Sequence, residues 1–385
     1  MEEVTRQDQV KGQASSSAKV SYSQVVKLAG AMITAIIGSG FSSGEEILQF
    51  FSVYGIRGMI SALLVLVVLA ITSGLIMQYG FSHPSNPPKT VFKYYVGKVF
   101  GSFLNIYIPI LAFLIGVVTV SGAGAAINQY FGLANFWGTA LITIIVLLAV
   151  LLGFDRLINV LGALGPITLI ASIGIGLYTL LTNFSALQVS EAYLQVANQY
   201  TDVPYGAGNG MGFWWLAGIL FISYTMMGAI PFISQLGTRG GTKKESFLGG
   251  VLGGVGLMVT AIFLNLAMLT DIEQVLNVEV PVLYLAQAIS PVVGGIFIYV
   301  LLQEMFTTSC AFLWTVSDAI TQKSASSRVK KWIIVLISLA TLAGAQLPFR
   351  TLVNIVYPIS GYIGIIFLVA LFAKEAYRLA QSKKA

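Results

Sequence analysis

Long apolar runs separated by short polar punctuation fill the chain from Gln24 to Phe372. A helix needs about 20 apolar residues to cross a bilayer. On that measure the pattern predicts ten spans, over Gln24 to Phe51, Gly58 to Tyr79, Gly101 to Phe131, Phe136 to Gly153, Arg156 to Thr182, Gly210 to Leu236, Glu245 to Thr270, Pro291 to Ile320, Lys331 to Ala345 and Leu352 to Phe372. Pro281 to Ile289 is too short to cross and reads as a re-entrant or interfacial helix. Thr90 to Lys98 reads as a short basic interfacial helix, and Ser185 to Gln199 as an amphipathic helix outside the membrane. Phe213, Trp214 and Trp215 read as an aromatic belt at the membrane surface. Residues 1–23 are polar and read as a flexible tail, 24–373 as one membrane domain, and 374–385 as a basic tail.

The first span is unusual. It is interrupted in mid-membrane by Gly38-Ser39-Gly40 and resumes through Phe41 to Glu45 and Glu46. Each unsatisfied backbone group in hydrocarbon costs several kcal/mol, so such breaks occur where protein or a wet cavity covers them. Gly228 and Pro231 predict a second interruption in span 6. Gly/Pro-broken spans at matching places in two halves point to a transporter binding site. The halves here are about 24–182 and 210–373.

Composition narrows the class. Of 385 residues 56% are hydrophobic and 9% charged, where a soluble domain carries about 25% charged. One Cys (Cys310) and one His (His83) argue against a zinc site, a Cys–His nucleophile and an enzyme. The net charge of +6 reflects topology rather than nucleic acid. With the N-terminus inside, 19 of the 21 Lys and Arg fall on the inner side and only Arg57 and Arg350 outside, as the positive-inside rule requires. Both termini are therefore expected in the cytoplasm.

Three carboxylates remain at membrane depth: Glu45, Glu46 and Glu304. Such groups are functional candidates by default. A plainer reading stands beside this one, because Ser42-x-x-Glu45 and Ser43-x-x-Glu46 both have capping-box spacing. In span 6, Phe221, Ser223, Tyr224, Thr225 and Gly228 are candidate solute contacts. Span 3 carries Ser121-Gly-Ala-Gly-Ala-Ala126, a small-residue face for close helix approach that could also flank a solute.

The run Gly38-Ser-Gly-Phe-Ser-Ser-Gly-Glu-Glu resembles the GxGFxSGxE signature of the YkvI-like family of bacterial membrane proteins, and Phe306-Thr-Thr resembles a second motif of that family. Members often carry Gln where this chain has Glu45. The ten spans and broken first helix resemble the LeuT fold of the amino acid–polyamine–organocation superfamily. The resemblance implies an all-α integral membrane protein with a five-plus-five inverted repeat, broken helices 1 and 6, and alternating access. It implies a solute site at Gly38, Ser39, Gly40, Phe41, Ser121 and the span 6 residues. It also implies a sodium site from the carbonyls of Thr34, Ile37 and Met305 with the hydroxyls of Thr308 and Ser309. Glu45, Glu46 and Glu304 would couple transport to protons in its place. No cofactor beyond such an ion is implied. The expected partners are a small amine-bearing or zwitterionic solute and the lipid bilayer. An ion channel and a non-transporting sensor or scaffold of the same fold are the alternatives.

Overall fold

The computed structural model describes residues 20–153, 165–189, 213–321 and 326–382. The first segments of the tail, most of the Arg156 to Pro166 stretch, and the greater part of the Ser185 to Gln199 helix lie outside the described residues. The chain folds into α1 (Tyr22–Ile36), α2 (Ser39–Ser43), α3 (Glu45–Phe50), α4 (Gly55–Ser82), α5 (Pro87–Phe131), α6 (Asn135–Gly153), α7 (Gly165–Thr182), α8 (Trp214–Gly237), α9 (Lys243–Met268), α10 (Ile272–Leu276), α11 (Pro281–Ile289), α12 (Pro291–Thr321), α13 (Ser327–Gly344) and α14 (Phe349–Ser382).

Among the described residues, seven helices are long and apolar enough to cross a membrane. The other three expected spans fall short for visible reasons. Span 1 is divided into α1, α2 and α3. Span 5 is described only from Gly165, and α13 opens with Arg328, Lys330 and Lys331.

Elements pair across the two halves of the chain. α4 packs on α9, α5 on α12 and α6 on α13, while α1 and α8 both join the α4–α9 side. The approach of α4 to α8 is backbone on backbone. A Cβ at Gly80 would stand 1.8 Å from the Ser234 carbonyl oxygen, and one at Gly237 would stand 1.9 Å from that of Met77. Small residues let membrane helices come this close and gain dispersion contact where hydrophobic driving force is absent. Glu245 links the starts of two helices, accepting the Gly241 N–H at 2.8 Å and the Ser21 N–H at 2.8 Å.

Three expectations change. The interfacial helix is Pro87 to Val96, joined to the span at a kink where Gly97 leaves helical geometry. The tail expected from 374 is helical as far as Ser382. In place of the interruption expected in span 6, α8 runs unbroken from Trp214 to Gly237 with Pro231 inside it. Proline removes the ladder hydrogen bond to the Met227 carbonyl, which a membrane helix tolerates when neighbours cover the freed group.

Beyond the bilayer-length part of α14, Lys374 donates to the Tyr94 carbonyl and sits 3.4 Å from the centre of the Tyr94 ring. Tyr95 donates to Glu375 at 3.1 Å, and Arg378 pairs with the same carboxylate at 3.1 Å. The end of α14 thus grips the interfacial helix.

Candidate functional site

The break in the first span is an extended step. Ile37 and Gly38 leave helical geometry, with ψ of 113° and 179°. The ladder of α1 closes with the Ile37 N–H on the Ile33 carbonyl at 2.9 Å and resumes with the Ser42 N–H on the Gly38 carbonyl at 3.0 Å. The carbonyls of Thr34 and Ile37 lie between those two bonds. Gly44 then turns the chain again at φ 86°, a left-handed conformation that favours glycine. A Cβ there would also meet Met268 at 2.4 Å.

The two adjacent glutamates leave this turn in different company. Glu45 is fully buried and takes Arg350 side-on, Nε to Oε1 at 2.7 Å and Nη2 to Oε2 at 3.3 Å. Gln49 donates to Glu45 Oε1 at 2.9 Å. Arg350 also donates to the carbonyls of Leu276 (2.8 Å) and Val278. One guanidinium therefore ties α3 and α14 to the α10–α11 connection. Glu46 accepts from Tyr224 of α8 and from Tyr357 of α14. The two tyrosine rings stack at 4.6 Å. Phe50 and Phe51 pack on Phe221 and Tyr224, closing an aromatic plug over the glutamate. Gly40 makes room for it, since a Cβ there would stand 2.1 Å from Glu46 Oε1. Tyr224→Phe should leave the stack in place and remove one donor from Glu46. We expect a destabilisation of about 1.5–3 kcal/mol, the scale of a hydrogen bond to a charged group, in equilibrium unfolding of the purified protein.

The capping boxes do not form. Ser42 and Ser43 donate back to the carbonyls of Gly38 (3.0 Å) and Gly40 (2.9 Å), and only the Ser43 oxygen accepts from the Glu45 N–H, at 3.2 Å. Both glutamates are spent on distant partners instead.

Glu304, from α12, is the third of the carboxylates expected at membrane depth, and it too is buried. Neither of its oxygens reaches a hydrogen-bond partner. The hydroxyls of Ser42 and Thr168 face it. The remaining residues singled out by sequence are only partly brought together. Phe41 is in the core, and Thr34 donates to the Gly30 carbonyl at 2.9 Å. Thr308 is half-buried and Met305 fully buried. Ser309 turns away from α1 and lines a cavity of about 20 Å³ between α5, α6, α12 and α13, where its hydroxyl has no partner. Ser121 donates to the Leu347 carbonyl at 2.8 Å, and Gly122 beside it lets Phe349 and Met305 approach, as the small-residue reading expects. Ser223 bonds the Ile219 carbonyl at 2.6 Å, the Thr225 hydroxyl is buried without a partner, and Gly228 is exposed on α8. Sequence reasoning missed Arg350 and Tyr357. The signal for Arg350 was its place as one of only two basic residues on its side of the charge map.

Glu279, in the α10–α11 connection, is half-buried near this pair. Burial and the Glu45 carboxylate push its carboxyl above the usual range, against Arg350, which lowers it. A raised value means the folded chain holds this proton more tightly than the unfolded chain. Its stabilising contribution is present at low pH and is lost as pH rises through that raised value. Glu279→Gln should therefore flatten the fall in melting temperature above the usual carboxylate range; an unchanged pH profile would rule the effect out.

An all-helical frame whose halves pair element by element, with the first span stepped at mid-membrane, is the LeuT-type fold of membrane transporters. The structure of MhsT in complex with L-phenylalanine matches 89% of this chain and 85% of that one at a TM-score of 0.57 and 16% identity. An Eremococcus coleocola manganese transporter, bound to an aromatic bis-isothiourea compound, matches 88% of this chain and 75% of that one at 0.54 and 13% identity. In sequence, the chain is similar to the uncharacterized membrane protein YkvI of Bacillus subtilis, 24% identical over 360 residues that cover 91% of this chain and 96% of that one. It is also similar to the Bacillus subtilis protein YyaD, 23% identical over 341 residues. No family model matches the chain.

Proposed function

We propose that this protein is a secondary transporter that moves a small amine-bearing or zwitterionic solute by alternating access, coupled to sodium or protons. The observation that carries the reading is the charge balance at α2. Glu46 and Glu304 are both buried beside this half-helix, and none of the ion pairs among the described residues involves either one. A solute bearing a positive group fits that imbalance, whereas a purely anionic one is opposed by it. Among the described residues no group of three His, Cys, Asp or Glu could hold a metal ion, which favours an organic solute over a divalent metal as cargo. The amino acid bound by MhsT supports the same choice. The charge map supports cytoplasmic termini, with Arg350 and the aromatic plug on the outer side of the break. In this conformation the plug covers the site from that side.

The test is uptake of radiolabelled amino acids and amines into proteoliposomes under imposed sodium and proton gradients. Gly40→Leu should abolish gradient-driven uptake while thermal unfolding stays cooperative. Normal uptake in this variant would sink the site assignment.

A further inference from the structure

Glu304 poses a problem that the solute site alone does not solve. It is 6% exposed, and both carboxylate oxygens lack a hydrogen-bond partner. An ionised carboxylate left so in a low-dielectric interior costs several kcal/mol unless something neutralises it. The groups facing it are the Ser42 hydroxyl from α2, the Thr168 hydroxyl from α7 and the Glu46 carboxylate from α3. None of these is positive. The Ser42 hydroxyl also reaches the Gly38 carbonyl, at 3.0 Å. A buried carboxylate faced by two hydroxyls and a second carboxylate offers oxygen ligands to a cation and has no positive group to balance its charge.

We infer that Glu304, with Ser42 and Thr168, is the site of the monovalent cation that drives transport, a proton or an alkali ion. This deepens the transporter reading and rests on it for the word "drives"; the binding itself does not. The site differs from the sodium site implied by the resemblance. There, the Ser309 hydroxyl would be a ligand, but it lines the cavity on the α5–α6–α13 side of α12. Thr307 spends its hydroxyl on the Glu304 carbonyl at 2.8 Å. Glu304 holds its cation against α2 instead, and Ser42 connects that cation to the Gly38 carbonyl at the break. When the cation leaves, the bare carboxylate is a stronger acceptor than a backbone carbonyl. The Ser42 proton then swings to Glu304 and releases Gly38. Occupancy of the site is in this way read by the joint between α1 and α2.

The test uses the purified full chain. Thermal unfolding is followed in sodium chloride against choline chloride at fixed pH, alongside the infrared carbonyl stretch that marks a neutral carboxylic acid. A sodium-dependent rise in melting temperature that Glu304→Gln removes identifies an alkali ion. A carboxylic-acid band that Glu304→Gln removes and Glu46→Gln leaves in place identifies a proton. Glu304→Gln leaving both signals intact, or wild type showing neither, overturns the inference. Ser42→Ala keeps the test alive should Glu304→Gln fail to fold. It should raise the half-maximal sodium concentration about tenfold or shift the acid band, and an unchanged signal removes Ser42 from the site. Neither readout depends on transport. A cation response with no uptake of any solute would therefore count against the transporter reading alone.

Discussion

Arg350→Ala should lower the unfolding free energy by about 3–5 kcal/mol, the cost of stripping one partner from a buried ion pair. Glu45 would be left without its cation in a site where its side chain is wholly buried. The Gln49 amide would still supply a single hydrogen bond. The carbonyls of Leu276 and Val278 would lose their guanidinium donor as well. The measurement is chemical unfolding in detergent, compared with the double variant Arg350→Met, Glu45→Met. Replacing both partners by apolar groups of similar size is often neutral or stabilising, so the double variant should recover most of the loss. If Arg350→Ala is as stable as wild type, the pair does not hold α3 and α14 together.

The second large effect is expected at the crossing of α4 and α8. In Gly80→Val the first added carbon alone would overlap the Ser234 carbonyl, which is backbone and cannot rotate aside. The helices must separate along their contact, and Gly237 against Met77 would lose its fit in the same movement. Overpacking costs about 1–3 kcal/mol where side chains can yield, and more where they cannot. We expect Gly80→Val at or above the top of that range, read as a lowered melting temperature and reduced yield of folded protein. Gly132→Ala is a fitting comparison at a helix end where a Cβ meets nothing within 4 Å; its φ of 70° should cost only the strain of a left-handed alanine.

Much of the frame was legible because hydrocarbon leaves few choices. Apolar run lengths placed the seven spans that are long and apolar enough to cross among the described residues, and Gly38-Ser39-Gly40 marked the step in the first expected one. The short Pro281 to Ile289 helix was legible from its length alone. What the sequence could not yield were partners set by tertiary packing. Glu45 and Arg350 are 305 positions apart, and no local pattern connects them. The capping spacing was present but misleading, because the left-handed turn at Gly44 directs the glutamates away from the serines. Pro231 marked a bend in composition without an opening in the backbone. Ser309 was a different kind of miss. Five residues along a helix is about 500°, so it stands about 140° around α12 from Glu304. Those two could not have faced the same neighbour, and that much was readable in advance.

The two grips on α14 carry a mechanical consequence. Its 34 residues span about 51 Å at 1.5 Å per residue. Arg350 latches one end to α3, and Lys374 seizes the interfacial helix near the other. A rod held at both ends behaves as a beam on two supports. Tilting it to unlatch one support presses it into the other, so the two faces of the membrane share one lever and cannot both be released by the same stroke.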